Sequence, residues 1–251
     1  PRALELPLTI TTMLNGPYRD SFSKDGLLMY KYRGIDIHHR DNVGLRKLMQ
    51  HQIPLIYFHN VAKGRYLAVW PVYISGDDPQ SLTFTVSADD INYLKQVTEF
   101  NYSSVADPVF DISRRNYITS QVKVRLHQSS FRERVLEAYN CRCTLCRLQH
   151  RELLDAAHII PDSDPDGEPV VTNGLSLCKI HHAAFDNNIL GIRPDYSIEV
   201  RSDILEENDG PMLQHGIKEM HDKKIILPRH RNCYPDVNSL EKRYDIFRKT
   251  G

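Results

Sequence analysis

The sequence predicts an α+β protein in two parts, a strand-rich N-terminal half and a C-terminal half stapled by a metal ion. Three observations carry this. LIYFHNV (55–61), RYLAVWPVYI (65–74) and LTFTVS (82–87) are β-branched and aromatic runs with turn signals between them. Three of the five cysteines crowd into Cys141, Cys143 and Cys146, with another at Cys178. Between these clusters the chain alternates short apolar runs with a Pro- and Asp-rich loop.

The 251 residues allow one large or two ordinary domains. With 41% hydrophobic and 25% charged residues, the composition is that of a folded protein rather than a disordered one. No apolar run approaches the ~18 residues of a membrane span, and PRALELPLTI at the N-terminus lacks the pattern of a secretory signal. Crowded cysteines without an export signal read as metal ligands before disulfides, which points to a cytoplasmic protein. Lys+Arg and Asp+Glu are both 32, so the total charge decides nothing about nucleic acid.

The evenly spaced N-terminal strands suggest a meander or small barrel. DNVGLRKLMQHQ (41–52) has Val43, Leu45, Leu48 and Met49 at helical spacing, with Asp41 as candidate cap. SADDINYLKQVTEF (87–100) reads as a second helix starting at Ser87. Residues 101–120 are polar and read as a linker. Six cations (Arg114, Arg115, Lys123, Arg125, Arg132, Arg134) stand against Glu133 alone between 112 and 134. That stretch is either a solvated helix face or a phosphate-contacting strap. SSFRERVLEAYN (129–140) is amphipathic, with Phe131, Val135, Leu136 and Tyr139 on one side, and NSLEKRYDIFRK (238–249) reads as a closing helix. The expected division is an N-terminal domain over 1–110, a basic linker over 111–128 and a C-terminal domain over 129–251.

Cys143 and Cys146 form a CxxC, and Cys178 and His181 a CxxH, 32 residues beyond Cys146. Four such ligands suit a closed tetrahedral structural zinc site. Cys141 can replace Cys143, at a less usual spacing; Cys233 is left over. In KIHHAAFDNN, a short helix, His182 and Asp186 are four apart and share one face, so they can bind one divalent cation. His181 points elsewhere, toward the zinc.

AAHIIP around His158, NGLSLC from Asn173 and HHAAFD ending at Asp186 together resemble the HNH endonucleases, the ββα-metal nucleases. The resemblance covers roughly 130–190. It implies that His158 is the general base that activates water against a phosphodiester. Asn173 would hold the His158 loop, and a Mg2+ or Mn2+ ion at His182 and Asp186 would stabilise the developing charge. One departure stands out. Many members carry an acid or His immediately before the base, where this chain has Ala157. Either Asp186 and water compensate, or Asp155 reaches in.

The segment 30–74 is similar to the N-terminal domain of McrA-type modification-dependent restriction enzymes, which resembles the SRA module of the PUA-like superfamily. The resemblance implies a β-barrel that flips 5-methyl- or 5-hydroxymethylcytosine out of double-stranded DNA. Tyr30, Tyr32, Tyr57 and Trp70 are candidate stacking residues, though Tyr57 and Trp70 read equally well as barrel core. Asp36, Asp41 and Asn42 are candidate readers of the base edge. Arg33, His38 and His39 with RDN (40–42), and Arg114, Arg115, Lys123 and Arg125, are candidate phosphate contacts. A double-strand break by a one-strand site needs two copies, so a homodimer is expected. The alternatives are a nuclease directed to phosphorothioate or unmodified sequence, and a DNA reader without cleavage.

Overall fold

The protein is described from a computed structural model. It covers residues 6–12, 21–22, 27–88 and 108–250, with backbone alone at 21–22 and 108–117. The chain divides into two compact units, Pro1–His127 and Gln128–Gly251.

The first unit is built on a six-stranded sheet of β1 (Thr9–Thr11), β2 (Ser21–Phe22), β3 (Leu28–Lys31), β4 (Leu55–Ala62), β5 (Arg65–Asp78) and β6 (Thr83–Ala88), in the order β1-β4-β5-β6-β3-β2. The expected meander is β4-β5-β6, antiparallel throughout, and β1 joins β4 in parallel. The end strands β1 and β2 do not pair, so no closed barrel forms among the described residues. Gly64, at φ +71°, makes the β4–β5 turn. SGDDPQ, which has the composition of a turn, instead carries β5 on to Asp78. Asp77 holds it there, because its carboxylate accepts from Arg46 Nε at 2.7 Å and from the Tyr32 hydroxyl.

Helix α1 (Arg40–Gln50) lays Leu45 and Leu48 against Tyr32, Leu55, Tyr57, Ile74 and Phe84 in the core. Its cap is His39 and not Asp41: the imidazole Nδ1 accepts from the Asp41 N–H at 3.2 Å. Of the helix expected over 87–100, Ser87 and Ala88 end β6 and the rest lies outside the described residues.

The expected linker and the short helix after it are one helix from residue 108 onward, α2 (Pro108–Ala138). Its polar face gives it a linker's composition, but no Gly or Pro interrupts 109–138, and Pro108 stands at the first position, where its missing N–H costs nothing. Ile118 and Leu126 belong to the core of the first unit, and Phe131, Val135, Leu136 and Tyr139 to that of the second. Asn140 and Cys141, at φ +52° and +51°, stop the helix, and the Cys141 N–H returns to the Leu136 carbonyl at 2.7 Å.

In the second unit β7 (Leu154–His158) pairs antiparallel with β8 (Gly174–Cys178), and α3 (Lys179–Asp186) follows directly. A second hairpin, β9 (Leu190–Ile192) with β10 (Ile198–Val200), and two short helices, α4 (Ser202–Glu206) and α5 (Pro211–Gly216), lead to α6 (Val237–Arg248), capped by Asp236. Gly174, opposite His158 in the register, lies against α2, where a Cβ would stand 2.4 Å from Val135 Cγ2 and 2.9 Å from Phe131 Cζ. Gly174→Ala is therefore expected to cost ~1–3 kcal/mol through overpacking. Thermal unfolding of the variant checks this, and an unchanged midpoint would contradict it.

Candidate functional site: a ββα centre beside a Cys3His cluster

The four ligands of the expected zinc site meet. Cys143 and Cys146 lie in the turn after α2, Cys178 ends β8, and His181 sits in the first turn of α3. Their ligand atoms all lie within 4.8 Å of one another. The Cys146 and Cys178 sulfurs are 4.0 Å apart, and His181 Nδ1 is 3.1 Å from Cys178 Sγ and 3.4 Å from Cys143 Sγ. Thiolates bound at ~2.3 Å in a tetrahedron stand about 3.8 Å apart, so the cluster fits zinc. The Gly216 carbonyl accepts from His181 Nε2 at 2.6 Å, which leaves the Nδ1 lone pair facing the sulfurs. Cys141 is not a member, since its sulfur accepts from Arg151 Nη1 at 2.9 Å. Cys233 stands apart from the cluster, beside Asn232.

On the other side of the adjacent histidines is a second constellation. His158 ends β7, and its ring stacks on Phe131 with centroids 4.0 Å apart and planes 16° off parallel. Its Nε2 is buried and has no hydrogen-bond partner among the described residues. Burial pushes the His158 pKa below the ordinary imidazole value; Asp162 and Asp186 oppose that, and His182 adds to it. The Asn173 side chain, 4% exposed, clamps the loop that follows the base. Its Oδ1 accepts from the Ile160 N–H at 2.9 Å, and its Nδ2 donates to the carbonyls of Ile160 at 3.0 Å and Glu168 at 3.1 Å.

His182 Nε2 lies 3.3 Å from Asp186 Oδ2. Two donors at ~2.1 Å on one octahedral ion stand about 3 Å apart, so the pair fits a small divalent cation. The Nδ1 of the same ring faces Asp155 Oδ2 at 3.8 Å. Ala157 is fully buried in the apolar core, so a carboxylate there would have no polar surroundings. Asp155 is the strand acid beside His182, and it is already engaged by Lys179 Nζ at 2.7 Å and Arg132 Nε at 3.4 Å. Burial raises its pKa, but Lys179, the Ala156 N–H and His182 outweigh that and hold it below the carboxylate range.

Sequence reasoning missed the surroundings of these groups. Arg132 donates to the carbonyls of Leu154 at 2.8 Å and Arg151 at 3.2 Å, and Arg134 to that of Pro169 at 2.9 Å. Two of the six expected strap cations thus brace the second unit. Arg243, on α6, ties down the end of α3 that carries Asp186. It donates to the Phe185 carbonyl and the Asn188 Oδ1, both at 2.6 Å, with its guanidinium 4.8 Å from the Phe185 ring centre. No local pattern marks Phe131, Lys179 or Arg243, because each acts across elements distant in sequence.

In the first unit, the named residues scatter. Tyr32 is 1% exposed, stacks on Phe84 at 4.5 Å, and binds Asp77 and Arg46. Tyr57 is buried, with its hydroxyl on Thr12 and His59, and Tyr30 packs at the edge of the core. Asn42 is buried and spends its amide on the backbone of Arg33 and Asp36. Asp36 accepts from the His38 N–H at 2.8 Å, and Asp41 pairs with Arg33 at 2.6 Å. Trp70 is 53% exposed. With Val69, Val122, Leu126 and Arg125 it lines a cavity of about 170 Å³. Lys123 is half-buried on α2; the side chains of Arg114 and Arg115 lie outside the described residues.

No described helix is long and apolar enough to cross a membrane. No curated protein matches the chain. Among solved structures, a modification-dependent TagI restriction endonuclease is similar at TM-score 0.35 and 16% identity, over 95% of this chain and 80% of that one. Residues 143–193 match the HNH endonuclease family. The matched residues of the second unit hold both cysteine knuckles, the β7–β8 hairpin between them and helix α3, the parts of an HNH endonuclease domain.

Proposed function

We propose that the protein is a metal-dependent, modification-dependent DNA endonuclease. The observation that carries the nuclease reading is that His158, buried at Nε2 without a hydrogen-bond partner among the described residues, lies within electrostatic reach of the pair His182 and Asp186. His158 in its neutral form takes the proton of the attacking water. Phe131 fixes the ring by stacking, and Asn173 fixes the loop behind it. Asp155 stands 3.8 Å from His182 Nδ1, on the opposite side of the ring from the Nε2 that faces Asp186. His182 and Asp186 would hold a Mg2+ or Mn2+ ion, which would supply Lewis-acid stabilisation of the charge on the phosphate and leaving oxygen. A zinc ion at Cys143, Cys146, Cys178 and His181 is structural. The products carry a 5′ phosphate and a 3′ hydroxyl.

The first unit is read as the targeting part, an SRA/PUA-like reader of 5-methyl- or 5-hydroxymethylcytosine, on the similarity of 30–74. With Tyr32 and Asn42 engaged in internal bonds, the flipped base is assigned to the cavity of Trp70 and Arg125, which offers a ring and a cation. Arg33, Lys123, Arg114 and Arg115 are left as phosphate contacts. A homodimer supplies the second cut, and the protein acts in the cytoplasm.

Plasmid nicking with added Mg2+ or Mn2+ tests the reading. Because the base must be neutral and burial lowers its pKa, cleavage falls as pH drops through a midpoint below the ordinary ~6.5 of imidazole. No cleavage with either ion, or an acid limb centred above that value, would count against it.

A further inference from the structure

Ile35 is the most exposed large apolar side chain among those described, at 87%, and its neighbour Ile37 is 37% exposed. A lone surface isoleucine is ordinary, but this one sits on a turn that the fold holds rigidly. Gly34 takes φ +67°, where a side chain would be strained. Asn42, 1% exposed, bonds the backbone on both sides of Ile35, at Arg33 N (2.9 Å), Arg33 O (3.3 Å) and Asp36 O (2.8 Å). Arg46, anchored on Asp77, donates to the Ile37 carbonyl at 2.6 Å. A buried amide and a partly buried ion pair are thus spent on fixing a segment that contributes nothing apolar to the core.

The charges around the tip select its partner. The acids are committed nearby, Asp36 to the His38 N–H and Asp41 to Arg33. Lys31 and Arg40 are exposed on either side. A rigid apolar tip flanked by cations matches duplex DNA, with phosphates for the cations and a base step for the isoleucine. A soft protein groove would not need the cations.

We infer that Ile35 is a wedge that enters the DNA base stack and occupies the space that unstacking opens. Unstacking a step costs a few kcal/mol, and an inserted apolar side chain offsets part of that while excluding water. The inference rests on the DNA-binding reading above and assigns the step that opens the duplex to the 33–37 turn. Rigidity matters here, because a floppy tip would lose its own freedom on insertion.

The test uses the full chain and duplex oligonucleotides carrying 5-methylcytosine beside 2-aminopurine, whose fluorescence rises on unstacking. Wild-type protein should raise the fluorescence. Ile35→Ala should reduce the rise and weaken binding about tenfold or more, whereas Ile35→Phe should retain both. A mismatch beside the modified base, which makes unstacking cheap, should restore binding of Ile35→Ala. Unchanged fluorescence and affinity in a folded Ile35→Ala protein would overturn the wedge alone. So would a loss confined to self-association, seen by sedimentation. Wild-type protein that binds no duplex would overturn the DNA-binding reading, and the wedge with it.

Discussion

Cys178→Ser should unfold the second unit rather than slow it. Cys178 is both a member of the Cys3His cluster that fits zinc and the junction of β8 with α3, and Cys143 is fully buried beside it. Structural zinc contributes about 10–16 kcal/mol of apparent binding free energy in small zinc domains. A domain of this size has only about 5–15 kcal/mol of net stability, so loss of the ion removes all or most of it. The measurements are elemental analysis, expected to give about one zinc per chain, and circular dichroism of the variant and of chelator-treated protein. Folded, active protein without zinc would remove the claim.

The second large effect is on chemistry. His158→Ala should abolish cleavage while leaving the fold and DNA binding intact. A positioned general base contributes about 10²–10⁴ in rate. His158 is only partly buried and makes no hydrogen bond through Nε2 among the described residues, so its removal sacrifices mainly the stack on Phe131. Single-turnover nicking with Mg2+ or Mn2+, alongside a binding titration, separates the two quantities. Near wild-type nicking by the variant would mean that another group is the base.

The catalytic half was legible because its chemistry follows local spacing. CxxC and CxxH specify which atoms converge, and helical geometry sends His181 and His182 to different sites. Ala157 became intelligible only with the strand in place, since position 157 is fully buried in the core while Asp155, only partly buried, stands beside His182. The N-terminal half was less legible. Tyr32 beside Gly34 has the composition of a pocket, but its hydroxyl serves a Tyr32–Asp77–Arg46 network drawn from three separate elements. The linker reading of 101–120 failed from residue 108 onward for a related reason. Polar residues on a helix face and in a loop look alike until the buried partners of Ile118 and Leu126 are known. The stacking of Phe131 on His158 is likewise a contact between α2 and β7 that no periodicity encodes.

Modification dependence is the central claim, and cleavage of matched plasmids tests it most directly. The plasmids come from methylating, hydroxymethylating, phosphorothioating and unmodified hosts, and are digested side by side at one stated salt with Mg2+ or Mn2+. A fitted pocket gains ~1–3 kcal/mol from one methyl group, so methylated or hydroxymethylated DNA should be cut roughly ten- to two-hundred-fold faster than unmodified DNA. Equal cutting of all four plasmids, or cutting of phosphorothioated DNA alone, would contradict the account and leave an HNH nuclease directed by something other than modified cytosine.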